Sequence, residues 1–218
     1  MICVSAGNID LSKLKILLES ENLVEIRLDM NNYSDDELIK IFSSQTNTIA
    51  TCRPGRFTEA ERIRKLELCI ESGASFVDVE VESTKNSIKH ISETAKENNC
   101  RIIISYHNNE KTPLVSKLIN ICRVSAGLGA DIIKIATYVN DQSDNAKLLS
   151  LYSNKEFSLT LPVIAIGMGK LGKITRIAAP FMGAPFTYAS YRAGQETAEG
   201  QIGKPELKRI YKIIDDEQ

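Results

Sequence analysis

The chain has 218 residues, of which 43% are hydrophobic, and its 27 lysines and arginines nearly balance 28 aspartates and glutamates. This near-neutral charge gives no electrostatic reason to expect a nucleic acid or an anionic membrane as a partner. No apolar run approaches the roughly 18 residues that a membrane span needs, and the first residues lead directly into strand-like sequence, so we expect a cytoplasmic protein.

Short apolar runs alternate with segments of helical periodicity from one end of the chain to the other. The predicted strands span residues 2–6, 23–30, 48–53, 76–82, 101–107, 131–139, 161–168 and 185–190. Capping boxes at Ser34–Glu37 and Thr58–Glu61 predict the starts of two helices. Thr112 and Pro113 predict a third start, with a threonine N-cap and proline at the first helical position. Two further helices are predicted, one that begins at residue 10 and one that ends near residue 99. Three more are predicted over residues 143–152, 170–179 and 205–214.

Strands that alternate with helices predict parallel strands joined by helical crossovers. Eight such units in one modest chain favour a single α/β domain over residues 1–218, a closed (β/α)8 TIM barrel rather than an open sheet. No G-x-G-x-x-G follows the first strand, which argues against a dinucleotide-binding fold. The one long connection, Arg192–Gly203, is predicted to be a lid or binding loop.

Lys134 lies inside an apolar, β-branched run, Asp131-Ile-Ile-Lys-Ile-Ala-Thr137, that is typical of a buried strand. A charged lysine is costly to bury, so the ordinary interpretation is a packed stem with the ammonium group in water. The neighbouring strands also end in polar residues, however, and this favours a functional lysine.

Functional side chains of a barrel lie at the carboxyl ends of its strands. Alternation places Glu25, Arg27 and Asp29 on one face of the second strand, and because helices cover the outside, we expect that face to point at the barrel axis. The other polar groups predicted at the strand ends are Arg53, Asp78, Glu80, His107 and Arg176. His90 falls on a polar helix and is predicted to be solvated.

This set of residues permits Schiff-base chemistry. Apolar walls and cationic neighbours would both disfavour the ammonium form of Lys134, and a neutral amine attacks ketones to give an iminium. His107 could then remove the acidified proton and return it to a leaving hydroxyl, while arginines suit a substrate carboxylate. A single histidine at the mouth and scattered cysteines with no C-x-x-C spacing predict reduced thiols and no metal site.

The ordered motifs resemble the type I 3-dehydroquinate dehydratases, Schiff-base enzymes of the shikimate pathway, over essentially the whole chain. The motifs are Val4-Ser5, Glu25-Ile-Arg27-Leu-Asp29, Thr51-Cys-Arg53, Asp78-Val-Glu80, Ser105-Tyr-His107, Thr112-Pro113, Ile133-Lys134-Ile-Ala136, Met168-Gly-Lys170, Arg176 and Thr197-Ala-Glu-Gly-Gln201. The resemblance implies a cytoplasmic homodimer that needs no cofactor and acts on 3-dehydroquinate.

The resemblance also implies individual roles. Lys134 would form the imine with the C3 ketone, and His107 would take the C2 proton and protonate the leaving C1 hydroxyl. Arg176 and Gln201 would hold the substrate carboxylate. The whole substrate-binding set implied is Ser5, Glu25, Ile26, Arg27, Arg53, Met168, Arg176, Thr197 and Gln201.

Three departures from the family pattern are present. The family's Glu-Gly-Gly turn, whose glutamate pairs with the histidine, is replaced by a segment that begins Pro54-Gly55, which leaves Glu80 and Glu59 as alternative partners of His107. Ile166 stands where a methionine is usual, and Glu199 stands for a proline in the lid, where it could loosen closure. We expect these changes to tune rate and affinity rather than abolish the reaction.

Two other functions are consistent with parts of the sequence. One is a class I aldolase or transaldolase acting on a sugar phosphate, for which Gly167, Gly169 and Gly172 could form part of a phosphate site. The other is a non-catalytic protein that binds a pathway metabolite, which the altered turn after the third strand would support.

Overall fold

The computed structural model of the protein describes residues 1–153 and 161–215. Its strands β1 to β8 are Ile2–Ala6, Leu23–Arg27, Asn47–Thr51, Phe76–Glu80, Arg101–Asn108, Ile132–Tyr138, Val163–Met168 and Thr187–Ser190. Its α-helices α1 to α8, counted over the same residues, are Leu11–Ser20, Asp35–Phe42, Glu59–Glu71, Lys85–Glu97, Val115–Gly127, Gln142–Leu149, Lys173–Ala178 and Lys204–Asp215.

All eight strands are parallel and belong to one sheet, in the order β7-β6-β5-β4-β3-β2-β1-β8. Sequential neighbours pair because each helical crossover returns the chain beside the strand that it left. The sheet curls into a nearly closed barrel, and within the described residues no hydrogen-bonded ladder joins β7 to β8. The predicted (β/α)8 barrel is therefore confirmed.

Two apolar layers hold the barrel together, one on each face of the sheet. The outer layer lies between strands and helices and includes Leu14, Val24 and Ile26. The inner layer fills the barrel and includes Leu23, Ile49, Phe76, Ile103, Ile132, Ile164 and Phe186. The two sets alternate along each strand because successive side chains point to opposite faces.

Most helix starts carry a side-chain cap, whereas α5 and α7 begin without one. The capping boxes at Ser34 and Thr58 are present as predicted, and Asp141 forms a further one at α6. The predicted N-cap at Thr112 is wrong, because α5 begins at Val115 after Leu114. The Thr112 hydroxyl instead lies 2.8 Å from Thr137 Oγ1 and 2.9 Å from the Tyr138 carbonyl, where it fastens the loop to the end of β6.

Several predicted elements are shorter in the structure. β2 ends at Arg27 because Leu28–Met30 forms a 3-10 turn, and β3 ends at Thr51, so Arg53 extends from the loop beyond it. The single helix predicted over 170–179 is divided into a 3-10 turn, the short helix α7 and a second 3-10 turn, Ala179–Met182. None of the helices in residues 1–153 and 161–215 is long and apolar enough to cross a membrane.

Candidate active site

A cavity of about 930 Å³ opens at the carboxyl ends of the strands. The lid, Arg192–Gly203, contributes four residues to its wall. Most of the predicted site residues line the cavity, namely Glu25, Arg27, Arg53, His107, Lys134, Met168, Arg176, Thr197 and Gln201. The parallel sheet thus brings together groups that are up to 176 positions apart in the sequence.

Lys134 projects from β6 into the barrel and is only 5% exposed. Its Nζ atom lies 2.9 Å from Asp78 Oδ2 and 3.6 Å from Glu25 Oε1, and 4.1 Å from the centroid of the Tyr188 ring. The expectation that cationic neighbours would disfavour the ammonium is therefore wrong for its nearest contacts. Inward-facing positions of β2 and β4 carry carboxylates at this level, so the nearest charged contacts of Lys134 are anionic.

The two carboxylates beside Lys134 are themselves anchored. Glu25 accepts hydrogen bonds from the Ser5 hydroxyl at 2.6 Å and the Thr51 hydroxyl at 3.0 Å. Asp78 accepts hydrogen bonds from Ser105 at 2.5 Å and from Arg53 at 2.8 Å.

Burial works to raise the pKa of both carboxyl groups, but the neighbouring cations outweigh it. Lys134 and Arg27 lower the pKa of Glu25, and Arg53 and Lys134 hold the pKa of Asp78 well below its usual range. Both groups are therefore carboxylates at neutral pH.

His107 lies near the end of β5, two residues beyond the position that pairs with Lys134. Its Nδ1 atom is buried without a hydrogen-bond partner. Burial lowers the pKa of His107 well below its usual range, and the charges of Arg53 and Lys134 lower it further. The imidazole is therefore neutral at neutral pH and can accept a proton.

Neither acidic residue left open by the sequence bonds to His107. Both oxygens of Glu80 are occupied, Oε1 by Arg53 at 2.7 Å and Oε2 by Arg62 at 2.5 Å. Glu59 lies at the rim and accepts a hydrogen bond from Arg62 at 2.7 Å. The arginines hold these carboxylates because a charge-assisted bond is stronger than one to a neutral imidazole.

Arg176 is a buried guanidinium at the cavity wall, 2% exposed. Its Nη1 donates to the Tyr188 carbonyl at 3.3 Å, and its Nε has no partner. Burial lowers the pKa of Arg176 to about 10, and the charge of Glu25 acts in the opposite direction. A buried cation with an unused donor is suited to bind an anion.

A close turn places Arg176 in this wall. Gly172 packs directly on Gly167 of β7, and a Cβ on Gly172 would lie 2.4 Å from the carbonyl carbon of Gly167. The turn therefore needs glycine at residue 172, and it leads into α7, which carries Arg176 back over the barrel.

The lid is fastened over the cavity at several points. The Thr197 N–H donates to Gln201 Oε1 at 2.8 Å, and Gln201 Nε2 reaches the Ser5 hydroxyl at 3.4 Å. Arg27 Nη1 donates to the Thr197 carbonyl at 3.2 Å, and its other donors bind Asp29 at 3.0 and 2.6 Å. These bonds connect the lid to β1 and β2.

Glu199 also fastens the lid. The Tyr138 hydroxyl donates to Glu199 Oε1 at 3.2 Å, and the Gly169 N–H donates to the Glu199 carbonyl at 3.2 Å. The sequence suggested that glutamate in place of proline could loosen closure, but the side chain adds a bond between the lid and β6 that proline cannot make.

Two members of the predicted binding set do not line the cavity. Ser5 lies beneath it and orients Glu25 and Gln201. Ile26 packs in the outer layer against the helices, because alternation turns it away from the face shared by Glu25 and Arg27, so its side chain is not placed to touch a substrate. Ile166 and Met168 form an apolar patch of the wall.

Sequence reasoning missed Arg62, which lines the cavity from α3. A signal for it was present, since Arg62 shares the buried stripe of that helix with Leu66, Cys69 and Ile70. An arginine in an apolar stripe needs a buried partner. His90, predicted to be solvated, is half exposed and contacts Glu67 through its Nε2 atom.

The cysteines and the possible metal ligands form no second site within the described residues. The five cysteines are buried and free. In the part of the chain that the structure describes, no three His, Cys, Asp or Glu side chains are grouped so that they could hold a metal ion.

The chain is similar to known proteins over nearly its full length. A family model described as type I 3-dehydroquinase matches residues 2–218. A 3-dehydroquinate dehydratase of Methanococcus maripaludis is 36% identical and covers 99% of this chain and 100% of the relative. A crystal structure of the 3-dehydroquinate dehydratase of Aquifex aeolicus superposes with a TM-score of 0.80 at 28% identity, covering 98% of each chain. One from Geobacillus kaustophilus has a TM-score of 0.85 at 24% identity and covers 99% of this chain and 91% of that chain.

Proposed function

The chain belongs to the type I 3-dehydroquinase family, and from that premise we propose that it removes water from 3-dehydroquinate through a Schiff base on Lys134. The observation that carries the proposal is the position of Lys134, a buried lysine that lines a cavity together with a neutral histidine and a buried guanidinium. These three groups supply a nucleophile, a proton carrier and an anion site.

The first step forms the imine. As the substrate enters, the ammonium of Lys134 gives up a proton to neutral His107, and the resulting amine attacks the C3 ketone. The proton on His107 and one proton from the attacking nitrogen then leave with the ketone oxygen as water, which returns His107 to its neutral form. The product is an iminium cation at the position where the ammonium was. Asp78, at 2.9 Å from Nζ, and the face of the Tyr188 ring, at 4.1 Å, are placed to stabilise that cation as well.

The second step is the elimination. The iminium withdraws electrons from the C2–H bond, and neutral His107 takes the proton, which leaves an enamine. The electron pair then moves toward C1, whose hydroxyl departs as water after His107 returns the proton. A second water hydrolyses the imine, which frees Lys134 and releases 3-dehydroshikimate, so the net reaction is the loss of one water.

Substrate binding follows from the donors that remain available. We assign the substrate carboxylate to Arg176, whose Nε is unpartnered, with Gln201 and Thr197 from the lid beside it. The ring hydroxyls would meet Glu25, Arg27 and Arg53. Ser5 contributes by orienting Glu25, and Met168 packs against the ring.

The wider setting is also proposed. We place the reaction in the shikimate pathway to chorismate and the aromatic amino acids, in the cytoplasm, with the protein as a homodimer that requires no cofactor. An aldolase acting on a sugar phosphate is disfavoured, because the family match extends over residues 2–218. A metabolite-binding protein without turnover remains the alternative that the experiment must separate.

The test is intact-protein mass spectrometry after mixing the protein with 3-dehydroquinate and sodium borohydride. We expect a covalent adduct that peptide mapping assigns to Lys134 and that is lost in Lys134→Ala. Lys173→Ala is the matched control, since Lys173 is an exposed lysine on α7 and should leave the adduct unchanged. A folded wild type that forms no adduct and no 3-dehydroshikimate would refute the proposal and favour the binding protein.

A further inference from the structure

A line of alternating charges runs from helix α3 to the reactive lysine. Arg62 Nη2 lies 2.5 Å from Glu80, and Glu80 lies 2.7 Å from Arg53. Arg53 lies 2.8 Å from Asp78, and Asp78 lies 2.9 Å from Lys134. No side chain in the line is more than 15% exposed, so water screens these charges only weakly.

Arg62 has a fixed position at the outer end of this line. Its Nε donates to the Cys52 carbonyl at 2.9 Å, and its Nη1 donates to Glu59 at 2.7 Å. The guanidinium therefore bonds in three directions, of which only Glu80 leads toward the cavity centre. Its contact with Glu80 prevents that carboxylate from rotating toward another partner.

The charges that are ion-paired with Lys134 and along this line balance. Three cations face three carboxylates, namely Lys134, Arg53 and Arg62 against Glu25, Asp78 and Glu80. Removal of Arg62 would take one positive charge out of this low-dielectric region and leave Arg53 as the ion-pair partner of Glu80. An uncompensated buried charge perturbs the titration of its neighbours.

The titration of His107 should respond to such a change in charge. The charged groups that act on its ring come from several strands and their ends, namely Arg53, Lys134, Asp78 and Arg27. Arg53 is the largest of these influences and is the residue that Glu80 holds in place. The Nδ1 atom of His107 has no hydrogen-bond partner, so no bond at that atom fixes the proton affinity of the ring.

We propose that Arg62 is a positioning residue. It holds the Glu80 carboxylate against Arg53 and neutralises the charge of that carboxylate, so that His107 keeps its proton-accepting form. The role of His107 rests on the proposed function, whereas the charge balance rests on geometry alone. Without Arg62, Oε2 of Glu80 would lose its partner while Oε1 stayed on Arg53, and the less neutralised carboxylate would add negative charge to the surroundings of the His107 ring. His107 would then bind its proton more tightly and would lose the free-base form at a higher pH.

The test follows the titration of His107 by NMR, which is practical because the chain has only two histidines. His90→Asn assigns the two imidazole signals. In Arg62→Gln we expect the midpoint of His107 to rise by roughly one pH unit, and the acid limb of kcat/KM to move the same way. Arg62→Lys keeps the charge and should keep the wild-type midpoint.

Arg64→Gln is the matched control on the same helix. Arg64 is 56% exposed and pairs with Asp35 at 2.7 Å on the surface, away from the cavity, so its loss should not move the midpoint. A purely structural role for Arg62 would lower stability and activity at every pH without shifting either titration. An unmoved midpoint in folded Arg62→Gln would overturn the inference.

Glu80→Gln keeps the test informative if Arg62→Gln does not fold. Removal of the negative charge should lower the midpoint, and the double variant Arg62→Gln/Glu80→Gln should return it toward the wild type. A double variant whose midpoint does not return would also overturn the inference. Because the NMR midpoint needs no turnover, an inactive wild type would refute the proposed function alone, and normal turnover with an unmoved midpoint would refute the role of Arg62 alone.

Discussion

At the scale of single residues, the site depends on which charges are compensated before the substrate arrives. Lys134 and Arg53 already have carboxylate partners, whereas Arg176 has a buried Nε without one. A buried cation without an ion-pair partner has lost its hydration, and a substrate carboxylate can offset that desolvation cost. We therefore expect Arg176 to be the residue that binds the substrate carboxylate.

Replacement of Arg176 by glutamine should weaken substrate binding more than it slows chemistry. A hydrogen bond to a charged group contributes about 1.5–3 kcal/mol, so we expect kcat/KM to fall by roughly 10- to 150-fold, mainly through KM. Steady-state kinetics measure this. Arg192→Gln is the control, since Arg192 is exposed in the lid and stacks on Tyr191. An unchanged KM in Arg176→Gln would assign the carboxylate to another residue.

The pH dependence of the wild type should reflect the buried position of His107. Its proton-accepting form is neutral, so protonation removes activity as the pH falls. Because burial and the charges of Arg53 and Lys134 lower the pKa of His107 from 6.5, protonation occurs only at more acidic pH. We expect kcat/KM to stay on its plateau through pH 6.5 and to decline below it. A decline centred at or above pH 6.5 would contradict this reading of the site.

At the scale of elements, the lid connects three parts of the barrel. Its Thr197 carbonyl accepts a hydrogen bond from Arg27 after β2, and Gln201 reaches Ser5 on β1. Glu199 adds the link to Tyr138 at the end of β6. Closure thus depends on bonds to strands on opposite sides of the mouth, which is how a loop can seal a cavity without a hydrophobic core of its own.

The link between Glu199 and Tyr138 can be tested by paired substitutions. A partly exposed neutral-to-charged bond contributes about 0.5–1.5 kcal/mol, so Glu199→Ala should raise KM by roughly 2- to 10-fold and speed proteolysis within the lid. Tyr138→Phe should do the same, and the double variant should add little to either single change.

Glu196→Ala is the control for this pair. The carboxylate of Glu196 is exposed and accepts a hydrogen bond from the Gly194 N–H within the lid, so its loss leaves the bonds to the strands intact. Fully additive effects of Glu199→Ala and Tyr138→Phe would show that the two side chains do not act through their mutual bond.

At the scale of the whole molecule, stability comes from the inner and outer apolar layers, and the site is a polar layer placed on the inner one. Phe186 is 1% exposed and packs against Phe76, with ring centroids 6.0 Å apart, and against Tyr188 at 5.5 Å. Tyr188 in turn lies under Lys134. The floor of the site is thus part of the barrel core.

Phe186→Ala should destabilise the protein strongly because it opens a cavity inside the barrel. Truncation of a buried phenylalanine costs about 3–5 kcal/mol, measured here as the free energy of unfolding in denaturant. Phe181→Ala is the control, since Phe181 is 50% exposed and packs only edge-on against Tyr211 among the described rings, and it should cost about 1 kcal/mol or less. Equal losses in the two variants would show that the inner layer does not hold the barrel closed.

The sequence by itself determined the order of the elements, the barrel and nine of the residues that line the cavity. These depend on local signals: capping boxes at Ser34 and Thr58, two-residue alternation around Glu25 and Arg27, and a lysine within an apolar strand. Alternation would also have excluded Ile26, which the family motif carried into the binding set although its parity places it outside. Local periodicity can be predicted from the sequence because backbone geometry sets it within a few residues.

Only the tertiary structure decided how the charges pair. Lys134 meets a carboxylate 56 positions away, the lid glutamine meets Ser5 at a separation of 196, and the Thr112 hydroxyl leaves its predicted cap for β6. In the same way, Glu80 binds Arg62 rather than His107. Such partners compete for one another according to distance and desolvation in the folded barrel, and neither quantity is defined until strands from the whole chain have been brought to one mouth.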